Sequence, residues 1–439
     1  MTTIRTRVAV VAVALVGLML ASPAFAQTPQ DLARELADLR AEVERLRAEV
    51  DALKGGAAAP ATTAATTAPI ELLQAQVAEL AQTKVESSTR FPLKIFGTLH
   101  VDVFANTGNP NWMDIPNLVL PPPADGQSGT LSASARQTRI GFLADGPTVG
   151  AFRSSAVVAM DFFGGIPGFQ TGQVMGLPRL LVAFGRLESE RTAVEIGQDH
   201  MILAPRDPSS LAAFAFPLLF RSGNLYLRVP QVRVEQQVVG NLRAMAGIVA
   251  PVAGDLVGDA YLFVPPALSG ERSRRPGVQG RVAYVAGDPE SPRAVDIGLA
   301  GHRSWERRGS ILAPSWAVAL DLSARRDVIG IAGEAFTGEN IDAFGGGTGL
   351  DAKSAGGWGE VQLFPTERLW FSAGAGVDDI RDRRRATLAR QRNRSAYANI
   401  TFSIRPELQT SFEYRQLRTL VGSTDRRNQH FDWVFVQKF

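Results

Sequence analysis

Arginines and carboxylates recur at alternate positions in this sequence, in segments whose intervening residues are apolar. The segment 131–164 shows this pattern on both sides of a tight turn at 145–149. A period of two indicates β-strands, because successive side chains point to opposite faces of a sheet. The charged faces carry the candidate functional residues, which are Arg139, Arg153, Asp161, Glu195, Arg233, Glu235, Arg243, Arg281, Asp296, Asp321, Glu334, Glu413 and Arg415.

The chemistry that these residues offer is anion binding. Guanidinium groups are permanently charged, attract anions and can bind a carboxylate through two parallel hydrogen bonds. Because both signs of charge share the same faces, two interpretations remain open. Each arginine is paired with a neighbouring carboxylate and only keeps the face hydrated, or some arginines form an unpaired cluster. Spacing along the sequence does not place them at one height.

Catalytic chemistry has little support in the sequence. There is no cysteine, and the four histidines, His100, His200, His302 and His430, are scattered. No serine-hydrolase, zinc-protease or phosphate-loop motif is present, so we predict no catalytic residue, metal or cofactor. A hydrolase with a serine close to His302 or His100 is the least favoured alternative. The arginines are dispersed among the strands and form no patch, which argues against nucleic-acid binding.

The N-terminus predicts export. Arg5 and Arg7 precede the apolar run 8–20, and Ala24-Phe25-Ala26 forms a small-x-small cleavage site, so residues 1–26 are interpreted as a signal peptide. The run is shorter than the ~20 residues of a spanning helix. No later run is long enough either. If the mature chain lies in a membrane it must therefore be a closed β-barrel, since only helices and barrels satisfy every backbone group in lipid.

Residues 27–54 are predicted to form an α-helical coiled coil. Positions a are Leu36, Val43 and Val50, positions d are Leu32, Leu39, Leu46 and Leu53, positions g are Glu35, Glu42 and Glu49, and positions e are Arg40, Arg47 and Lys54. Glutamates at g that face cations at e favour a parallel bundle. A trimer is our preferred interpretation, a dimer is also permitted, and a single amphipathic helix is the alternative. Residues 55–90 are predicted to form an Ala/Thr/Pro linker and a short helix.

Residues 91–439 are predicted to form an all-β transmembrane domain, an antiparallel barrel of about 16 strands, each about ten residues long. Short turns alternate with long connections, which is typical of outer-membrane barrels. The long connections are 106–128, 164–176, 199–223, 251–274, 338–350, 379–392 and 418–429. An even strand count places both ends of the barrel in the periplasm, together with the coiled coil. The last strand ends on Phe439 and carries aromatic residues on one face.

The third long connection, 199–223, is unusually apolar for an exposed loop. An apolar patch of this kind is an aggregation liability unless it is buried. We expect it to fold into the barrel and narrow the lumen, with Arg206, Asp207 and Arg221 at the aperture. The alternative is a loop that caps the outer rim or contacts a neighbouring subunit.

Four short segments resemble the DcaP-like trimeric porin family: 135–142 (ARQTRIGF), 161–164 (DFFG), 196–198 (IGQ) and 228–233 (RVPQVR). The order of signal peptide, coiled coil, linker and barrel is also similar. The resemblance implies a homotrimeric channel in the outer membrane of a Gram-negative bacterium, passing small anionic solutes such as carboxylates. It also implies that Arg139 and Arg233 line the lumen. Val158-Ala159-Met160 and the Phe-rich third connection are more apolar than the family pattern.

The sequence therefore predicts a passive porin with an Arg-lined lumen. Its expected partners are two further copies of the chain, outer-membrane lipid and lipopolysaccharide, and small anionic solutes. The alternative function is structural, with the barrel anchoring a coiled coil that tethers the cell envelope.

Overall fold

The computed structural model describes residues 93–165, 175–253, 266–288, 291–347, 352–381 and 390–439. The chain divides into two units, 1–85 and 86–439, and every described residue belongs to the second. The predicted signal peptide, coiled coil and linker thus lie outside the described residues. Within the described part of the chain, no helix is long and apolar enough to cross a membrane.

Seventeen strand segments are present in the described part of the second unit. The strands are β1 (Leu93–Asn106), β2 (Thr130–Ser134), β3 (Arg139–Val149), β4 (Phe152–Asp161), β5 (Arg179–Glu188), β6 (Thr192–His200), β7 (Arg228–Val239), β8 (Leu242–Val249), β9 (Gly277–Ala286), β10 (Arg293–Arg308), β11 (Ile311–Arg326), β12 (Ile329–Glu339), β13 (Lys353–Thr366), β14 (Leu369–Ile380), β15 (Arg390–Arg405), β16 (Leu408–Val421) and β17 (Thr424–Lys438). One helical turn, α1 (Ser269–Arg272), and one 3-10 turn (Asp342–Phe344) lie in the connections.

The strands form a closed antiparallel barrel. From β3 onward each strand pairs with the next, and β17 pairs back onto β1, from Thr98–Lys438 to Asn106–His430. On its other side β1 pairs with β3 over Leu93–Thr98 and with β2 over Asp102–Asn106. Segments β2 and β3 therefore occupy one position in the wall, and the barrel has 16 positions, which confirms the predicted strand number.

The two faces of the wall alternate as the sequence pattern predicts. On β16 and β17 the outward residues Phe412 and Trp433 are 57% and 52% exposed, whereas their neighbours Glu413 and Asp432 are buried on the inside. A soluble protein would place the apolar set inside. An apolar outer face around a polar interior is the pattern of a membrane barrel.

One predicted long connection, 418–429, is wrong. Strand β16 continues to Val421 and β17 begins at Thr424, so that a turn of two residues joins them. Gly422 adopts a φ of +60° in this turn, a conformation that glycine reaches without steric cost. The charged residues of 418–429 look like loop residues in the sequence, but their backbones complete the ladder between the two strands.

Candidate functional site

The connection between β6 and β7, residues 201–227, lies inside the barrel and is called the inner segment below. Its apolar side chains drive this placement: Leu203, Ala212 and Leu218 have no measurable exposure. Leu203 packs with Leu225 and with Phe344 of a neighbouring connection. Ala212 packs against inward residues of β17. Burial of such side chains stabilises the docked segment at roughly 25 cal/mol per Å² of apolar surface.

Hydrogen bonds fix the course of the inner segment. Its successive residues contact β9, β12, β13, β15, β16, β1, β3 and β5, which is the order of the strands around the barrel. The contacts are Ile202 N to Gln279 Oε1 (2.8 Å), Arg206 N to Glu334 Oε1 (2.8 Å), Ser209 N to Glu360 Oε2 (2.9 Å), Asn399 Nδ2 to Ser209 O (2.9 Å), Ser210 Oγ to Glu413 Oε2 (2.5 Å), His100 Nε2 to Leu211 O (2.8 Å), Arg139 to Phe214 O and Arg179 Nη2 to Ala215 O (2.8 Å). Residues 202–215 therefore make almost one circuit of the barrel interior, and residues 218–222 then return to β13 and β15.

Arg206 anchors the first part of this circuit to the wall. Its guanidinium binds Asp296 on β10 and, at 3.1 Å, Asp321 on β11. Arg281 on β9 binds the same two carboxylates, at 2.7 Å and 2.5 Å. Two cations thus share two anions, and the local charge is close to neutral.

A second network lies on β5, β6 and β7. Arg233 binds Glu195 at 2.9 Å and Glu235 at 3.1 Å. Arg186 binds Glu235 at 2.9 Å. These arginines, like Arg206 and Arg281, are neutralised by carboxylates of the wall. Arg186 was not identified from the sequence.

A third group of cations differs from these networks. Arg139, Arg179 and Arg228 each begin a strand, on β3, β5 and β7, at the end of the barrel that carries the long loops. Arg179 binds Asp161 at 2.6 Å. In the described part of the chain, Arg139 and Arg228 form no ion pair, and Arg139 Nε and Arg228 Nη1 are buried without a hydrogen-bond acceptor. These three arginines, called the arginine row below, therefore retain net positive charge.

Aromatic rings of the inner segment line the arginine row. The guanidinium of Arg139 lies 5.3 Å from the ring centroid of Phe214, and that of Arg228 lies 5.5 Å from the ring centroid of Tyr226. Burial raises the pKa of the Tyr226 phenol above its ordinary value, so that the phenol stays neutral and does not offset the arginines. An aromatic ring attracts a guanidinium through its quadrupole and carries no net charge, so these rings do not neutralise the arginines.

Sequence reasoning missed Arg179 and Arg228. Arg228 has the same parity as Pro230 and Val232, which face outward on β7, so strict alternation assigns it to the outer face. At the end of a strand a long side chain can leave that alternation, and the guanidinium of Arg228 lies instead by Tyr226. The available signal was its position, since Arg179 and Arg228 both open strands after long connections.

The remaining predicted residues lie in varied environments. Arg415 and Arg221 are buried: Arg415 donates to Pro116 O at 2.9 Å and Arg221 to Asn117 Oδ1 at 3.2 Å, so both contact the connection between β1 and β2. Asp207 is 46% exposed, with His200 Nε2 3.8 Å from its carboxylate. Arg243 lines a cavity of about 340 Å³ near the short-turn end. Arg153 is exposed and lies opposite Glu188.

The pair His302 and Ser304 bears on the hydrolase alternative. His302 Nε2 lies 3.0 Å from Ser304 Oγ, but this hydroxyl donates to Val252 O at 2.7 Å, and His302 Nδ1 faces Gln279 Nε2. Ser304 must then accept a hydrogen bond from the imidazole. A histidine that donates to the serine does not act as its general base.

Comparison with known proteins identifies solved structures that have a similar architecture. No family model matches the sequence, and no curated protein matches it. The outer membrane channel DcaP of Acinetobacter baumannii superposes with a TM-score of 0.62 at 14% identity, over 80% of this chain and 97% of that chain. An anion-selective porin from Comamonas acidovorans superposes with a TM-score of 0.52 at 12% identity, over 80% and 100%. OprB of Pseudomonas putida has a TM-score of 0.52 at 9% identity, over 81% and 96%. The described barrel therefore has the DcaP-like porin fold.

Proposed function

We propose that this protein is an outer-membrane channel of a Gram-negative bacterium, through which small, preferentially anionic solutes diffuse passively. One observation carries the proposal. The inner segment follows the interior of a porin-like barrel and leaves Arg139 and Arg228 beside it without a carboxylate partner among the described residues. The resemblance in fold to the DcaP channel and to a porin described as anion-selective supports this reading.

The proposed selectivity follows from how the charges are paired. Arg206, Arg233 and Arg281 hold wall carboxylates, so their fields largely cancel. Arg139 and Arg228 have no such partner among the described residues and raise the local concentration of anions in a narrow, low-dielectric passage. The inner segment forms the constriction, and Asp207 offers one opposing charge at its exposed side.

Reversal-potential measurements test the proposal. The purified full chain in a planar bilayer under a KCl gradient is expected to give a zero-current potential with the sign of chloride permeation. The preference should weaken at 1 M salt, where the Debye length is about 3 Å, compared with about 10 Å at 0.1 M. A barrel that does not conduct, or that prefers potassium, would contradict the proposal.

We also propose that three copies associate through the coiled coil of residues 27–54 and through the barrel wall. Deleting residues 27–89 is expected to lower the trimer fraction in detergent, because a parallel bundle joins the subunits before the barrels meet. Light scattering coupled to size-exclusion chromatography measures this fraction. Deleting only the low-complexity stretch 58–68 is the matched control and should leave trimers intact. Equal trimer fractions for both deletions would contradict a trimerising role.

A further inference from the structure

The outer wall of β15–β17 carries a cluster of cations at the long-loop end. Arg394, Arg418 and Arg427 all approach the carboxylate of Asp425, at 3.7, 3.8 and 3.6 Å. Their side chains are 48%, 27% and 63% exposed. Three guanidinium groups around one carboxylate leave net positive charge on this face, and we call these four residues the outer arginine cluster.

Below the outer arginine cluster, the side chains on the outer wall are first small or polar and then aromatic. Strands β15 and β16 pair Arg394 with Arg418, then Ala396 with Gln416, then Ala398 with Tyr414. Each of these residues lies between buried neighbours along its strand and therefore points outward. Gln416 and Arg418 are half-buried, and the other four are exposed. At about 3.4 Å per residue, the aromatic zone begins roughly 13 Å from the arginines.

This aromatic zone borders a groove of about 570 Å³ on the outer wall. The rings of Phe412 and Trp433 stack with their centroids 5.8 Å apart along one side, and Tyr414 and Phe431 lie 5.1 Å apart. Ala398 contributes its small side chain to the floor. The groove is mainly apolar, and an alanine lies in it between bulky side chains.

The geometry points to a binding site for a phosphorylated, acylated lipid of the outer leaflet, with its phosphate on the outer arginine cluster and an acyl chain in the groove. Arginine binds phosphate through paired, charge-assisted hydrogen bonds. A cationic surface at headgroup level above an apolar surface matches an amphiphile in both charge and order. This inference rests on the proposed membrane location but not on conduction, because every residue involved faces away from the lumen.

Native mass spectrometry of the purified full chain with bis-phosphorylated lipid A tests the site. The triple variant R394Q/R418Q/R427Q is expected to bind lipid A roughly 100-fold more weakly than wild type. Each of the three arginines is expected to contribute a similar share of the binding free energy for an anionic lipid surface. Wild type should discriminate to a similar extent against lipid A from which both phosphates have been removed. The matched control R293Q/R325Q/R326Q, at the short-turn end, should bind as wild type does.

Three outcomes would overturn the inference. These are equal binding of the two lipids, an equal loss in the control triple, and dissociation of the oligomer by R394Q/R418Q/R427Q with lipid binding unchanged, which would make this face a subunit contact.

A398W, which fills the groove, should weaken binding of lipid A but not of its deacylated, phosphorylated glycan. If A398W binds lipid A as tightly as wild type does, the acyl chain does not occupy the groove. Bilayer conductance of the arginine triple should equal that of wild type, so a failed lipid site is distinguishable from a failed channel.

Discussion

Replacing residues 204–220 with a short Gly-Ser linker is expected to raise single-channel conductance several-fold. The inner segment follows the wall inside the barrel from β12 round to β5, and its removal leaves this space to water. The same change uncovers Glu334, Glu360 and Glu413, which now accept hydrogen bonds from the segment. Three freed carboxylates should also shift the permeability ratio toward cations. Single-channel recording and reversal potentials measure both effects.

The control for this replacement is an exposed connection of the same barrel. Residues 122–128 are exposed between β1 and β2, and replacing them with the same linker should leave conductance unchanged. Heat-modifiability on denaturing gels confirms that each variant forms a barrel. A conductance equal to wild type after replacement of 204–220, in a folded barrel, would show that the inner segment does not constrict the channel.

The double variant R139Q/R228Q is expected to lower the anion-to-cation permeability ratio by roughly fivefold to tenfold at 0.1 M salt. A unit charge about 4 Å from a permeating ion contributes about 1 kcal/mol in water, and about 1.4 kcal/mol corresponds to tenfold. Screening at 1 M salt should shrink the effect. Reversal potentials measured at both salt concentrations provide the test.

Two matched variants separate charge from structure in this experiment. R139K/R228K keeps both charges and should retain most of the anion preference. R293Q/R326Q removes two charges from the opposite end of the barrel, where Arg293 is 82% exposed, and should leave the ratio unchanged. An unchanged ratio in R139Q/R228Q, or an equal loss in the lysine variant, would remove these arginines from the selectivity mechanism.

Strand alternation made most of the barrel predictable. Val295, Ile297 and Leu299 alternate with smaller or charged residues on β10, and the same period of two continues through β11 and β16. Because an outward apolar face repeats on each strand, strand number and inside–outside orientation follow from local pattern alone. The prediction failed at 418–429, where charged residues continue the ladder between β16 and β17 up to a two-residue turn, and at the break between β2 and β3, where two segments share one position in the wall.

Sequence reasoning of this kind predicts only part of the candidate site. The sequence shows that Arg139, Arg206, Arg233 and Arg281 belong to the barrel segment, and that 199–223 is too apolar for an exposed loop. It does not show that Arg206 and Arg281 share Asp296 and Asp321, because the four residues come from different parts of the chain.

The sequence by itself determined the strand positions, the two faces of most strands and the types of charge on the inner wall, since these depend on neighbours along the chain. The tertiary structure alone decided which charges are neutralised. Closure of the barrel and the circuit of the inner segment set the distances between groups that lie far apart in sequence. These distances pair Arg233 and Arg281 with carboxylates, and they leave Arg139 and Arg228 without a carboxylate partner in the described barrel.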